Sequence, residues 1–511
     1  MKSVVIVGGG FTGILTAVNI IRLSTGAASG VHTKAEPRLK ITILSKGGLP
    51  CRGVAYSTLN GSHLLNVVAR NMSALADQPT HFLEWLAARS EYLHIPLPVL
   101  REQFVPRRVF GDYLHNLFFW YTGSIAADKG ITVEVVPQDA VDITSDHSGV
   151  ATVHLAGGGT IEADKAIMAL GNQPPGEIRI PGLDASDARY IANPWTGWES
   201  LLPSPEKNVL IIGTGLTMVD TVLSLQDIGW KGKIYAISRN GLLPLSHFKG
   251  VEYPDYITGD EADTSLRGLF HIFAAKLREA RATGINPAIL IDKLRPYTQR
   301  LWQGFSLAEK RQFSRRFRTR WNITRHRIAP SIHQQLMGAI SEGKLEVLKA
   351  RILQADPNGE NIELKLQCGE QGREKLTIEA GSILNCTGPK ESCLAKDTRS
   401  VGAMPDVPNP ARALLRNLAA RGTVISDEME MGLSVGPDFG VKDMYGNISQ
   451  TIYATGTLLK GTLWESSAVP ELRSQTFRLA EMLVRELDMD RDPLAEPRIS
   501  EALQDVIEYW I

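Results

Sequence analysis

Val4-Val5-Ile6-Val7-Gly8-Gly9-Gly10-Phe11-Thr12-Gly13 stands at the start of the chain, and Val209-Leu210-Ile211-Ile212-Gly213-Thr214-Gly215-Leu216-Thr217-Met218 repeats its form near the middle. In each, an apolar β-branched run breaks into a glycine turn and is followed by a helix-compatible segment, Ile14 to Leu23 in the first and Val219 to Ile228 in the second. Strand, turn and helix in that order form a dinucleotide site. The first glycine permits the tight turn and the second lets the backbone approach a pyrophosphate. The helix then offers its leading N–H groups and the positive end of its dipole. One such turn is weak evidence. Two, each in its proper context, predict two dinucleotides on one polypeptide.

The remaining composition fits a multidomain enzyme. A chain of 511 residues exceeds what one core supports, so two or three domains are expected. Lys+Arg and Asp+Glu balance at 55 each, which argues against a polyanionic partner such as nucleic acid. The apolar stretch from Val4 to Ile21 has a single preceding lysine and is interrupted by glycines without a small-residue cleavage pattern. It reads as the first β-α pair of a nucleotide fold rather than a signal peptide. No other run is long enough to span a bilayer, so no membrane association is expected. Cys51, Cys368, Cys386 and Cys393 lack paired spacing, which fits a reducing cytoplasm and disfavours disulfide reduction through a dithiol.

The order of elements predicts an α/β fold of two Rossmann-like domains, one nested inside the other. A second strand, Leu39 to Leu44, is followed by helices at Pro79 to Ala88 and Gly111 to Trp120, then by strands at Ile131 to Val136 and Val150 to Leu155. Ala166 to Asn172, Ser382 to Gly388 and Tyr453 to Leu458 are strands ending in glycine turns, and a last helix runs from Pro470 to Glu486. The prolines at 203 and 205 mark a linker. The first domain is therefore expected over 1–202 and 382–511, and the second over 203–381, with a helical insertion at about 253–345.

These signposts, with Gly53 to Thr58, His63 to Val67, Phe104 to Arg107, Trp321 to Arg327 and Trp464 to Arg473, resemble a bacterial family of mostly uncharacterised FAD/NAD(P)-binding proteins. That family is in turn similar to the class B flavin monooxygenases, including the amine N-hydroxylases. The resemblance implies FAD in the first domain and NAD(P) in the inserted one. It also implies NADPH delivering hydride to the flavin, then oxygen giving a peroxyflavin that hydroxylates a small nucleophile. The alternatives are a reductase or dehydrogenase with another acceptor, and a flavin-binding sensor.

For FAD, the candidate contacts are Gly8, Gly10, Phe11, Thr12 and Gly13 in the turn, with Asn66, Arg107 and Gly171 nearby. Gly456 and the start of the last helix, Pro470, Glu471 and Leu472, are expected at the flavin ring, where a helix dipole stabilises negative charge. Ser45 stands where an acid ordinarily binds the adenosine ribose, so modest FAD affinity is expected.

For the second dinucleotide the candidates are Gly213, Gly215, Leu216, Thr217, Ser238 and Arg239. The strand ends in Ser238-Arg239 with no carboxylate, and an arginine there pairs the 2′-phosphate of NADPH. A charge-assisted hydrogen bond is worth roughly 1.5–3 kcal/mol, enough to favour NADPH over NADH about tenfold to a hundredfold. Phe313, Phe317 and Trp321 recur every four residues within a basic segment running from Lys310 to Arg327. That pattern reads as one packed stripe beside a solvated one, unless some of the arginines, with His326, rim the nicotinamide cleft. No metal-ligand spacing and no nucleophile signature is present, and the residues that carry the chemistry are left open.

Overall fold

The computed structural model describes residues 1–24, 37–47, 50–146, 149–195, 197–257, 264–369, 371–390, 394 and 410–487. Cys393 and everything after residue 487 lie outside them. The first strand, Lys2–Val7, lies between Leu39–Leu44 and Lys165–Met168, parallel to both. Across the six-stranded sheet the order is Gly440–Lys442, Ile448–Ala454, Lys165–Met168, Lys2–Val7, Leu39–Leu44 and Ile131–Val136. Only the Gly440–Lys442 edge runs antiparallel. Val4 to Val7 are buried on both faces, as an unbroken apolar run in a covered parallel sheet must be. The following helix, Phe11–Leu23, is buried almost all round, because the last helix, Val469–Glu486, packs on it from the other side. A small antiparallel sheet of Ala140–Ser145, Ala151–Leu155 and Thr160–Ala163 fills the crossover to Lys165–Met168.

The second sheet has seven strands, in the order Glu374–Ala380, Asn361–Cys368, Leu345–Asn358, Ile234–Ser238, Val209–Ile212, Ser382–Asn385 and Tyr190–Ile191. Ser382–Asn385 pairs in parallel with Val209–Ile212, and Tyr190–Ile191 pairs with Ser382–Asn385. The domain limits read from the sequence need correcting on this point. The proline linker at 203 falls after the chain has already contributed a strand to the second sheet. The strand at 382 completes that sheet rather than returning to the first.

The helical insertion is also shorter than 253–345. Its last helix, Pro330–Ser341, packs Ile332, Leu336 and Ala339 into the core of the second sheet and is that domain's crossover helix. Described residues between Tyr253 and Phe305 form a separate core around Leu290, Leu301 and Trp302. Met431 and Trp464 of the first domain close it. The predicted stripe is present with a break. Ser306 and Glu309 form a reciprocal cap on Leu307–Arg316, the helix breaks at Phe317, and Arg318–Arg325 follows as a separate helix. Phe313 and Trp321 pack inward, whereas Arg311, Arg315, Arg316 and Arg320 are exposed.

Candidate functional site

The two glycine turns are built alike. Gly8 has φ 117° and Gly213 has φ 107°, a region that side chains other than glycine rarely enter. A Cβ on either would collide with a carbonyl oxygen of the neighbouring strand's end, Ala169 for Gly8 and Cys386 for Gly213. Gly10 and Gly215 are the N-caps of their helices, with φ, ψ of −80°, −169° and −90°, −162°. Here the constraint vanishes. A Cβ on Gly10 would meet only the Gly53 Cα at 3.8 Å, and one on Gly215 would meet nothing within 4 Å. Glycine at these two positions keeps clear a space that the protein does not fill, next to the free leading amides of a helix. In the first helix the hydrogen-bond ladder begins with Ile14 N–H to Gly10 C=O, which leaves the amides of Phe11, Thr12 and Gly13 ahead of it. The turns differ at the third position. A Cβ on Gly13 would collide with the Gly8 carbonyl, whereas buried Met218 occupies the equivalent place in the second turn.

A cleft of about 930 Å³ lies between the two sheets. Of the residues singled out in the sequence, Asn66, Arg107, Gly171, Gly213, Gly215, Leu216, Thr217, Ser238 and Arg239 line it. Gly8, Gly10, Phe11, Thr12, Gly13 and Ser45 belong to the first turn, outside this wall. Ser45 packs against that turn, since its Oγ would lie 2.6 Å from a Cβ on Gly9, which explains the middle glycine. Gly456, at φ 78°, sits against Thr12, with Gln475 accepting from its N–H and Ser466 donating to its carbonyl. Pro470, Glu471 and Leu472 do not reach the cleft; Ala468 and Val469 do. The Glu471 side chain turns away to take two hydrogen bonds from Arg295, at 2.9 and 3.1 Å. Ser238 lines the cleft and also holds the local backbone. Its hydroxyl shares a hydrogen bond with Thr214 Oγ1 and accepts from the Gly241 N–H, so it fixes the turn after the strand. Arg239 is exposed at the rim, where Arg179 and Arg351 join it.

Arg107 has a definite role in holding the architecture. It donates to Asp220 at 2.6 and 3.0 Å and to the Leu64 carbonyl at 3.0 Å, tying the helix Arg107–Trp120 to the helix Leu216–Asp227. His63 adds to the same contact through the Asp220 carbonyl and Ser224. His247 bonds the Asn66 carbonyl, and burial lowers its pKa to about 4.

On the far wall, Glu465 is 4% exposed and adopts φ 65°. It accepts from Trp321 Nε1 at 2.9 Å and from Arg325 Nε at 3.0 Å. Burial opposes its ionisation, but Arg325, His326 and Arg295 outweigh that and hold the carboxyl below its usual range. Burial lowers His326, on the cleft wall, to about 4 despite the nearby Glu465, so its imidazole is neutral at pH 7. Arg325 and His326 line the cleft, while the exposed arginines fit the solvated reading of the basic segment. Trp464 stacks on Trp302 with centroids 4.5 Å apart, and Trp302 Nε1 donates to the Gly461 carbonyl. Sequence reasoning missed Asp220, Arg295 and Lys460, as well as Arg179 and Arg351. Asp220 lies one turn along a helix already identified, but the others belong to no motif.

Cys51, Cys368 and Cys386 are unpaired and buried. Burial pushes the Cys386 thiol up to about 12, and it shares a hydrogen bond with Thr221. Among the described residues no cluster could hold a metal ion, and no helix is long and apolar enough to cross a membrane.

The paired sheets, one inserted in the other, with both glycine turns at strand ends, decide the architecture. The fold is that of the two-dinucleotide-domain flavoproteins. Residues 5–173 match the family model NAD_binding_9, described as FAD-NAD(P)-binding. Ornithine N-hydroxylase of Kutzneria sp. 744, with reduced FAD, NADP+ and L-ornithine, superposes with a TM-score of 0.57 at 16% identity, covering 95% of this chain and 99% of that one. Ornithine hydroxylase PvdA of Pseudomonas aeruginosa, in its reduced form, gives 0.56 at 15% identity, again over 95% and 99%. L-lysine 6-monooxygenase of Pseudomonas syringae gives 0.56 at 15% over the same shares. In sequence, the uncharacterized protein YdhS of Escherichia coli (strain K12) is 22% identical over 275 residues, 48% of this chain and 47% of the relative. The match thus spans about half the length of that curated relative.

Proposed function

We propose that the protein is an FAD-dependent oxidoreductase that consumes NADPH and hydroxylates a small nucleophilic substrate with molecular oxygen. The observation that carries this reading is the pair of matched turns, each with a glycine whose missing side chain leaves open space, one of them opening into the cleft between the two sheets. When bound, FAD supplies hydride acceptance from NADPH and the activation of oxygen. The protein's own residues do the remaining work. The amides of Phe11 to Gly13 would receive the FAD pyrophosphate, and those of Leu216 to Met218 the second dinucleotide. Arg239, supported at the rim by Arg179 and Arg351, would take the 2′-phosphate. The Arg107–Asp220 tie holds the two turns at a fixed spacing. Trp464, Leu458, Met431 and Ile323 give the inner cleft an apolar wall that excludes water. The three described cysteines are buried and unpaired, which favours oxygen over a disulfide as acceptor.

Anaerobic mixing of the FAD-loaded protein with NADPH, followed by mixing with oxygen, tests the proposal. Rapid bleaching of the flavin and then a spectroscopically distinct transient before reoxidation are expected. Direct reoxidation without a transient would reduce the assignment to a reductase, and failure to bleach would remove NADPH as the reductant.

A further inference from the structure

We propose that Asn322 and His326 are the substrate-recognition pair of this cleft, receiving an uncharged group that both donates and accepts a hydrogen bond, a hydroxyl or neutral N–H nucleophile carried on an apolar body. The inference deepens the proposed function and rests on it. The two residues stand one turn apart at the end of Arg318–Arg325, where the His326 N–H donates to the Asn322 carbonyl at 2.8 Å, so their side chains share a face. That face is part of the cleft wall. The neighbouring stripe, Trp321 and Arg325, is fastened to Glu465 at 2.9 and 3.0 Å, and Trp321 also meets the edge of Phe313. Asn322 and His326 are therefore presented by a helix pinned at both of those side chains.

What sets the pair apart is its unmet hydrogen bonding. His63 bonds Thr58 and Ser224, and His247 bonds the Asn66 carbonyl. Among the described residues, neither ring nitrogen of His326 nor the side-chain amide of Asn322 has a hydrogen-bond partner. Polar groups sheltered from bulk water ordinarily find one, and an exception on a cleft wall calls for a ligand. In the open cleft solvent serves these groups, so a substrate that displaces it must replace its hydrogen bonds. Burial, then Arg325, Lys460 and Arg295, oppose protonation of the ring against the pull of Glu465, and it stays neutral. A neutral imidazole offers one donor and one acceptor, and a carboxamide offers both. A carboxylate could only accept and an ammonium only donate, so either would leave part of this edge unmatched. Ile323, Met431, Leu458 and Trp464 suit the apolar body. The carboxamide of a nicotinamide has the same donor–acceptor chemistry, and the test must separate it from a substrate.

Diethyl pyrocarbonate acylates a neutral imidazole through an accessible, unpartnered nitrogen, and peptide mass spectrometry reads which histidines have reacted. In the FAD-loaded, NADP+-saturated protein His326 should react, at nearly the same rate at about pH 7 and about pH 5.5. A histidine of ordinary pKa slows about eightfold over that interval. Benzamide, an uncharged donor and acceptor on an apolar ring, should slow the reaction of His326 several-fold more than N,N-dimethylbenzamide, which only accepts. Asn322→Leu should erase that difference while His326 keeps its flat pH response, and Asn322→Ala provides a second variant should the first fold poorly. Full protection by NADP+ alone would assign the pair to the nicotinamide and overturn the inference. An ordinary pH slope at His326, equal effects of the two amides, or a difference unchanged in a folded Asn322 variant would overturn it as well. All of these leave the flavoprotein assignment intact. Failure of the protein to load FAD would instead reject the underlying reading, and the inference with it.

Discussion

At the scale of single residues, the glycines of one turn separate into those the fold needs and one that the fold does not. Gly13 cannot carry a Cβ without striking the Gly8 carbonyl, whereas Gly10 can, with only Gly53 Cα in ordinary contact. Gly10→Ala should therefore leave the melting temperature nearly unchanged and sharply lower FAD content measured by flavin absorbance. Gly13→Ala should lower both. A Gly10→Ala variant that retains FAD would remove the pyrophosphate from this turn. Ser45 lies beside the same turn, and Ser45→Glu should raise FAD retention on gel filtration by restoring an acid for the ribose. At the other site, Arg239→Ala should raise the NADPH Michaelis constant about tenfold, the loss of one charged contact. It should change NADH little and the saturated rate of flavin reduction less, since the contact is remote from the nicotinamide and contributes uniform binding. Equal loss with both cofactors would mark Arg239 as structural. The turns are legible in the sequence because backbone sterics leave a glycine signature. The local role of Ser238 is not, because a hydroxyl at a strand end serves a turn as readily as a ribose, and its bonds to Thr214 and Gly241 appear only in three dimensions.

At the scale of elements, strands and helices are legible wherever one face or both must be buried, as in Val4 to Val7 or Val469 to Glu486. What periodicity cannot report is which sheet a strand joins. Ser382–Asn385 is as buried as any strand of the first sheet, and only its register with Val209–Ile212 assigns it to the second. The helix Pro330–Ser341 merges with the insertion in the sequence because its amphipathic pattern carries no address. The tie between Arg107–Trp120 and Leu216–Asp227 is invisible for the same reason, since Arg107 and Asp220 are 113 residues apart and meet only in three dimensions. Both side chains are about one-eighth exposed. Arg107→Ala should destabilise the protein by about 3 kcal/mol, as expected when one member of a largely buried pair is removed, read as a lower urea midpoint. It should also weaken NADPH and NADH alike, in contrast to Arg239→Ala. A variant that weakens only NADPH would show that Arg107 contacts the 2′-phosphate.

At the scale of the whole molecule, the domains and the helical insertion meet around two histidines that are neutral because they are buried. His247 reaches the Asn66 carbonyl across the domain contact, and His326 faces the cleft beside the Glu465–Arg325 pair. Burial is the dominant force on each ring, and both titrate near 4 in the folded chain against an ordinary value of 6.5. Between those values the unfolded chain binds more protons than the folded one, so stability rises with pH across the window and is lost as pH falls from 6.5 toward 4. Glu465, held below its usual range, acts in the same direction but only below the ordinary carboxylate pKa, so the upper part of the window belongs to the histidines. The wild-type melting temperature should fall as pH is lowered from about 6.5 to about 5. His247→Asn and His326→Asn should each flatten that slope, even where they lower the melting temperature at neutral pH. Slopes parallel to wild type in both variants would mean that the rings are protonated in the folded protein, and that the contact between the domains tolerates their charge.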